Sequence, residues 1–305
     1  MKHYFIINPA AGPKDKSAEL SKIIDEAYKG LEYEIYYTKG YKDATIQARK
    51  IASNLEEDTI FYACGGDGTS YEVINGIFGY PKAHFSVIPI GSCNDYLKNF
   101  KEYDFMNLTA LRDGSLKDID ILEVNGHYAV NEVNIGYDAG TNIDCTRYKK
   151  FIKNVNLAYV IALGKNLFKM NRYTKLETSD EVLFDDKSLL IACSNGKYYG
   201  GGFKCTPLAV VDDGLMDIVI VKHISAIRFL KMVKYYKKGE HITYPKLKDV
   251  VFYYQKKNVV ITGKKPLPVC IDGENIMTDR VEVKIHHKAI KMLLPKRTSE
   301  DNNVQ

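Results

Sequence analysis

The sequence contains no long apolar run. No window reaches the ~18 consecutive apolar residues that a membrane-spanning helix needs, so nothing in it reads as crossing a bilayer. It has no C-x-x-C pair. Its six cysteines (Cys64, Cys93, Cys145, Cys193, Cys205 and Cys270) are scattered, most of them inside apolar runs. That speaks against a zinc site and for reduced, buried thiols in a cytosolic protein. The opening Met-Lys-His-Tyr-Phe-Ile-Ile-Asn is too short and too soon polar for a signal peptide. There is no internal repeat and no low-complexity linker. Charge of one sign is scarce too: 43 Lys and Arg against 38 Asp and Glu leave +5, which does not by itself argue for nucleic acid. What remains is 305 residues, 45% hydrophobic and 27% charged, an ordinary globular balance with apolar material for two domains.

The first third alternates strand and helix. Residues 4–7, 34–37, 59–63 and 85–90 are β-branched and aromatic runs that read as strands. Residues 17–29, 44–55 and 70–78 carry apolar residues at helical spacing, with Gly30 placed to stop the first helix and Asp43 to cap the second. This β-α-β-α order predicts a parallel sheet with helices on both faces, and ligands of such sheets bind at the carboxyl ends of strands. Asn8, Thr38, Gly65 and Gly91 all fall there. From Asp118 the texture changes to short strands: 119–124 and 127–135 as a hairpin about Asn125-Gly126, then 189–194, 216–221, 250–254, 259–262, 269–271, 281–285 and 290–294. Helical inserts are expected through 151–170 and through 225–238, the latter stopped at Gly239. The expected domains are 1–122, with 289–297 as a segment returning to it, and a mostly β domain over 123–288 forming a sandwich or barrel. The polar residues 298–305 read as a disordered tail.

The most informative loop is Gly65-Gly66-Asp67-Gly68-Thr69, where a strand stops at two glycines. Without Cβ atoms, such a loop lets backbone N–H groups approach a phosphate, and an acid beside it can orient a hydroxyl or hold magnesium. Asn8-Pro9-Ala10-Ala11-Gly12 ends the first strand; taken alone it is a Pro/Gly turn. Gly91-Ser92-Cys93-Asn94-Asp95 ends the fourth, and alone is an ordinary Asn-Asp turn. Their joint placement with Gly65–Thr69 raises all three. Farther on, Ser194-Asn195-Gly196 with Gly200, Gly201 and Gly202 forms a glycine cluster. Asp212-Asp213-Gly214 and Asp272-Gly273-Glu274 are acidic turns, readable either as hairpin turns or, for the former, as a hard-cation site.

Taken in order, Asn8-Pro9-x-Ala11-Gly12, Gly65–Thr69 with Glu72 and Asn75, Gly91-Ser92-x-Asn94-Asp95, Ser194-Asn195-Gly196, Asp213-Gly214 and Asp272-Gly273-Glu274 resemble the diacylglycerol kinase catalytic family. The likeness is greatest to its stand-alone bacterial lipid kinases, related to sphingosine and ceramide kinases. The motifs span nearly the whole chain. The resemblance implies a Rossmann-like nucleotide-binding α/β domain followed by a β-sandwich, and ATP-dependent, magnesium-dependent phosphorylation of a hydroxyl of diacylglycerol or a related lipid in a cleft between the domains. By the same resemblance, Asn8, Gly12, Thr38, Gly65, Gly66, Gly68, Thr69 and Asn94 surround ATP. Asp67 manages the phosphates and magnesium with Asp95 in support, and Glu274 takes the lipid hydroxyl's proton. The Asp213 side chain with the Leu215 and Val210 carbonyls would hold a second, structural magnesium. Ser92 stands where relatives commonly carry threonine, which keeps the hydroxyl. Asn131-Glu132 echoes a pair of the NAD kinases and makes NAD kinase the alternative, against which Glu72, Asn75 and Glu274 weigh.

Between Lys222 and Lys265 lie eleven lysines and one arginine against two acids, Glu240 and Asp249. The helix within this stretch has Ile227, Leu230 and Val233 on one face, and Tyr235, Tyr236, Tyr253 and Tyr254 are interleaved. The expectation is a patch docking on anionic lipid. The protein would then be cytoplasmic and peripheral on the inner membrane face, with a lipid partner, no nucleic acid and room for a homodimer. A basic RNA- or membrane-binding module without catalysis is the reading from another class.

Overall fold

The computed structural model describes residues 1–148, 151–152, 157, 161–166 and 172–297. The expected tail at 298–305, and the parts of the expected insert at 153–156, 158–160 and 167–170, lie outside the described residues; 161–166 are helical. The chain divides into two compact units, one of Met1–Ile121 together with the chain from His287, the other of Leu122–His286.

In the first unit, β1 (Lys2–Ile7), β2 (Tyr33–Tyr37), β3 (Thr59–Gly65) and β4 (Ala83–Pro89) pair in parallel in the order β2-β1-β3-β4. They are joined by α1 (Ser17–Ala27), α2 (Asp43–Ala52) and α3 (Asp67–Ile77). β3 is buried throughout and β4 nearly so, because helices cover a parallel sheet on both faces. Phe5 stacks on Tyr62 with ring centroids 4.3 Å apart, at the centre of this core. The crossovers run outward in both directions from β1 and β3, so their adjacent carboxyl ends form a topological switch point. Asn8 donates its N–H to the Cys64 carbonyl there at 3.0 Å.

Asp43 does not cap α2. Lys42, at φ 65°, takes that position, and Asp43 is the first helical residue, its carboxylate accepting from the Lys39 N–H and the Tyr36 hydroxyl. Its place is taken by Glu72 of α3, whose carboxylate accepts from the Lys42 N–H at 2.9 Å and the Ala44 N–H at 3.1 Å. α3 starts three residues before its expected first residue, at Asp67 rather than Ser70, so the glycine motif opens the helix instead of preceding it.

After α4 (Leu108–Arg112), β5 (Ser115–Val124) turns at Asn125-Gly126 into β6 (His127–Ala129). The expected hairpin strand over 127–135 is two strands. It breaks at Val130-Asn131, and β7 (Glu132–Gly136) leaves β5 to pair with others, because Asp272 captures the break (below). The second unit is antiparallel. Besides β7 it contains β8 (Arg172–Glu177), β9 (Val182–Ser194), β10 (Met216–Lys222), β11 (Val251–Lys256), β12 (Asn258–Ile271) and β13 (Glu274–Leu294). The order is β11-β10-β9-β7-β12-β13, with β8 bonded to the early parts of β9 and β12. The expected pairs 259–262 with 269–271, and 281–285 with 290–294, are single long strands; β12 absorbs its polar 263–266 stretch as a register shift. β13 runs on into the first unit, where Met292 pairs in parallel with Phe85 of β4.

α5 (Tyr137–Tyr148) and β8 were not expected from the sequence. α6 (Ala226–Lys238) was, with Ser225 as N-cap, its hydroxyl oxygen accepting from the Arg228 N–H, and Gly239 as left-handed stop. Its buried face is Phe229, Met232 and Tyr236, so Ile227 and Leu230 share the solvent face with the lysines.

Candidate functional site

Three loops meet at the carboxyl ends of β1, β3 and β4. The Asn8 side chain ties the first to the second: its Oδ1 accepts from the Ala10 N–H at 3.0 Å, and its Nδ2 donates to Thr69 Oγ1 at 3.1 Å. The second and third are pressed together with no room for side chains. A Cβ on Gly65 would lie 2.2 Å from Thr69 Oγ1, and one on Gly91 would lie 2.4 Å from the Gly66 Cα. The Gly91 N–H donates to the Gly65 carbonyl at 3.0 Å. Gly12, at φ 77°, brings the first loop to within 2.8 Å of the Ile90 carbonyl oxygen, measured from where its Cβ would be. Thr69 and Ser70 donate to the Gly66 carbonyl, leaving the preceding N–H groups of α3 outside its own ladder. That end carries partial positive charge and suits a phosphate. The Thr38 N–H is engaged by the Ile7 carbonyl, which fixes the loop after β2.

Asp67 and Asp95 sit where these loops converge. Asp67 Oδ1 accepts from the Asp95 N–H at 3.0 Å. Burial, and then the Asp95 charge, push Asp67 up to about 6, against the lowering effect of the Asp95 and Asn94 backbone N–H groups. Asp95 is buried and paired with Lys98. Asn94 makes the turn between them at φ 50°; its buried Oδ1 has no hydrogen-bond partner among the described residues. Asp67, Cys93 and Asp95 present a carboxylate, a thiol and a carboxylate, all within 4.8 Å of one another. Two hard oxygen donors in that arrangement fit magnesium, which takes one or two carboxylates and fills the rest of its octahedron with water and phosphate; the soft thiol does not. Sequence reasoning missed Cys93 and Lys98. Only the convergence of 93 and 98 on Asp95 could have flagged them, and that is a tertiary fact.

In the second unit, Glu274 begins β13 after the turn Asp272-Gly273, at φ 43° and 97°. Asp272 holds that turn in place. Its carboxylate accepts from the backbone N–H groups of Val130 at 2.7 Å, Glu132 at 2.8 Å and Asn131 at 3.3 Å. The Asn131 carbonyl accepts in turn from the Asn195 N–H, and Asn195 Nδ2 donates to the Val130 carbonyl at 3.0 Å. Ser194-Asn195-Gly196, Asn131-Glu132 and Asp272 thus form one meshwork, and Asn131-Glu132 needs no NAD kinase role to account for it. Asp213 accepts from the Leu215 N–H at 2.9 Å, closing its own turn, and Val210 is exposed. Nearby Asp217 is fully buried. Its Oδ1 takes the Tyr253 hydroxyl and Gln255 Nε2, while its Oδ2 has no partner among the described residues. Burial pushes Asp217 up to about 6, the Tyr253 and Gln255 hydrogen bonds oppose this, and the Asp213 charge adds to it.

Residues 2–124 match the family described as diacylglycerol kinase catalytic domain, and residues 131–294 match the YegS C-terminal NAD kinase beta sandwich-like domain. The chain is 28% identical over 275 residues to a diacylglycerol kinase of Staphylococcus carnosus (strain TM300), covering 88% of this chain and 87% of that one. It is 27% identical over 302 residues to a diacylglycerol kinase of Bacillus subtilis (strain 168), covering 97% of each. Its fold is similar to the crystal structure of a diacylglycerol kinase from Bacillus anthracis str. Sterne, with TM-score 0.68, 22% identity and 96% of each chain covered. An NAD kinase from Archaeoglobus fulgidus solved in complex with ATP is a more distant structural relation, with TM-score 0.52 and 12% identity over 100% of this chain and 97% of that one.

Proposed function

The chain belongs to the diacylglycerol kinase family and is an ATP-dependent lipid kinase, and from that premise we propose that the loops after β1, β3 and β4 form its nucleotide and phosphoryl-transfer site, with a hydroxyl of diacylglycerol or a related lipid as acceptor. The observation that carries this is the Asp67–Asp95 pair, seated beside Gly65 and Gly91, which are packed too tightly for a Cβ, at the switch point of a parallel sheet. On this reading the unit of Met1–Ile121 is a Rossmann-like nucleotide-binding domain, corresponding to 1–122 with 289–297 returning to it. The segment 123–288 is a β-sandwich acceptor domain.

Asn8, Gly12, Thr38, Gly65, Gly66, Gly68, Thr69 and Asn94 contact the nucleotide, and the open end of α3 faces its phosphates. Asp67 and Asp95 are the residues that would hold magnesium, which supplies the charge neutralisation that phosphoryl transfer needs. As the acceptor oxygen bonds to the γ-phosphorus and the bond to ADP breaks, Glu274 takes the hydroxyl proton. Its turn is held by Asp272, which keeps the base in one position. Asp213, with the Leu215 and Val210 carbonyls, would hold a structural magnesium. Support comes from the unpartnered buried Oδ2 of Asp217, whose charge beside Asp213 a cation would compensate. No helix among the described residues is long and apolar enough to cross a membrane. On the lipid-kinase reading the protein would reach its lipid as a peripheral, cytoplasmic enzyme on the inner membrane face.

The test is transfer of label from the γ-phosphate of ATP into a panel of extracted lipids, with NAD in parallel. Label is expected in the phosphorylated form of diacylglycerol or another hydroxylated lipid; label in NADP alone would overturn the assignment. For the Asp213 site, EDTA should lower the melting temperature of the wild type and leave that of Asp213→Ala, already lower, unmoved. An equal EDTA shift in both would remove the ion from that turn.

A further inference from the structure

The core needs only one face of α6. Phe229, Met232 and Tyr236 point inward, into a cluster with Ala192, Val219 and Leu247. The opposite face is apolar and cationic together. Ile227 and Leu230, one turn apart, are 69% and 65% exposed. At 100° per residue, Lys231, Lys234, Lys237 and Lys238 fall within the same ~120° arc as these two. The helix contains five cations with Arg228 and no acid. Arg228 is occupied by Asp249 and the Lys246 carbonyl, which pins the amino end of the helix. Among the described residues none of the four lysines of the arc is in an ion pair; Lys234 and Lys237 lie instead over the rings of Tyr235 and Phe203. Tyr235 stacks on Tyr244 at 4.0 Å, beside the arc.

Single exposed apolar residues are common and mean nothing. Two on successive turns, ringed by unneutralised lysines, are a different case. Water gains nothing from them, a neutral protein partner would leave the lysines without counter-charge, and an acidic protein would leave the aliphatic crest without an apolar host. An anionic bilayer satisfies both, taking aliphatic side chains below the headgroups while lysines spread to the phosphates and tyrosines sit between. We infer that the solvent face of α6 is the surface that docks this enzyme on anionic lipid, with Ile227 and Leu230 inserted and Lys231, Lys234, Lys237 and Lys238 on headgroup phosphates. This rests on the lipid-acceptor reading for its purpose, but the surface itself is defined by α6 alone.

The experiment is co-sedimentation of the full chain with phosphatidylglycerol–phosphatidylcholine vesicles and with pure phosphatidylcholine vesicles, at low and high salt. The wild type should bind the anionic vesicles, lose binding as salt rises, and bind neutral ones weakly. Ile227→Asp with Leu230→Asp, and separately Lys231→Glu with Lys234→Glu, should each weaken binding roughly tenfold or more. All four positions face solvent, so the variants should melt as the wild type does. They should phosphorylate a short-chain, vesicle-free lipid acceptor at the wild-type rate. Vesicle binding unchanged in both variants overturns the docking face while leaving the kinase assignment intact. Absence of lipid phosphorylation with vesicle binding intact would sink the acceptor and spare the surface. A single-stranded RNA that binds more tightly than the vesicles and competes with them would assign the lysines to nucleic acid instead.

Discussion

Asp67 carries two conflicting demands. It is held near 6 by burial and by Asp95, so in the fold it is stabilised in its neutral form, while the magnesium role proposed for it requires the carboxylate. A carboxyl whose folded pKa is raised favours the native state fully below its unfolded value near 4, and that contribution is lost as pH rises through about 6. Asp67→Asn removes the charge yet keeps an oxygen to accept the Asp95 N–H. It should therefore abolish turnover and, at pH 7, raise stability by about 1–2 kcal/mol, read from urea unfolding. The wild-type kcat/KM should climb as pH passes about 6. A profile already flat at pH 5, or a variant less stable than the wild type, would refute this account. The place of Asp67 was legible from its glycines, since a β-branched and aromatic run that stops at Gly-Gly marks a loop at a strand's carboxyl end. Glu72 and Asn75 carried family information whose physical content was not legible. Glu72 caps α2 from a neighbouring helix, and the Asn75 carbonyl accepts from Arg49. Glu72→Ala should free two N–H groups behind the loop after β2, lower stability by about 1 kcal/mol and raise the KM for ATP more than it lowers kcat.

At the scale of elements, α3 contains, within nine residues, a glycine proposed to face the nucleotide and a glycine that packs against α2. A Cβ on Gly68 meets nothing within 4 Å, so Gly68→Ala should gain helix propensity, up to about 1 kcal/mol, while crowding the phosphate approach and raising the KM for ATP. A Cβ on Gly76 would lie 2.6 Å from Ala48 Cβ and 2.8 Å from the Thr45 carbonyl oxygen, where α2 and α3 touch. Gly76→Ala should cost about 1–3 kcal/mol in spite of the same propensity gain, with nucleotide affinity of the folded protein retained. Thermal melts and ATP titrations on both variants separate the roles; equal signs in the melts would refute the division. The parallel strands could be read beforehand because apolar runs stop at Gly, Pro or Asn. β8 could not, since Arg-Tyr-Thr-Lys-Leu-Glu is half charged and owes its place to pairing on both sides with β9 and β12. α5, from Tyr137 to Tyr148, has no clear apolar stripe to announce it. In β12 and β13 the polar stretches at 263–266 and 286–289 look like turns, yet each strand continues: β12 takes its stretch up as a register shift against β13, and in β13 Lys288 adopts φ 50° while its N–H is taken by the Asp120 carboxylate.

Each of the two units also buries a histidine that its fold keeps uncharged, and this sets how the whole molecule responds to acid. His3 is held at about 4, first by burial, in a chain of hydrogen bonds to Tyr62 and on to Tyr28. His241 is held at about 4 by burial; the Cys205 and Tyr235 carbonyls oppose this without reaching hydrogen-bond geometry, and neither ring nitrogen has a partner among the described residues. A histidine with a depressed folded pKa contributes stability above its unfolded value near 6.5 and loses it as pH falls toward 4. The swing is about 3 kcal/mol per site, a large share of a typical domain's stability. The opposite slope comes from Asp67 in one unit and from Asp138 and Asp217 in the other. All three are pushed up to about 6, chiefly by burial, and they favour the fold as pH falls. Wild-type stability should therefore change less between pH 7 and 4.5 than the histidines alone would dictate. Replacing a histidine should expose the carboxyl slope. The stability of His3→Gln and His241→Gln relative to the wild type should rise by about 2 kcal/mol on going from pH 7 to pH 4.5, whatever each costs at neutral pH through lost packing. Urea unfolding at the two pH values measures this directly, and a gap that stays constant would mean that the native protein already takes up those protons.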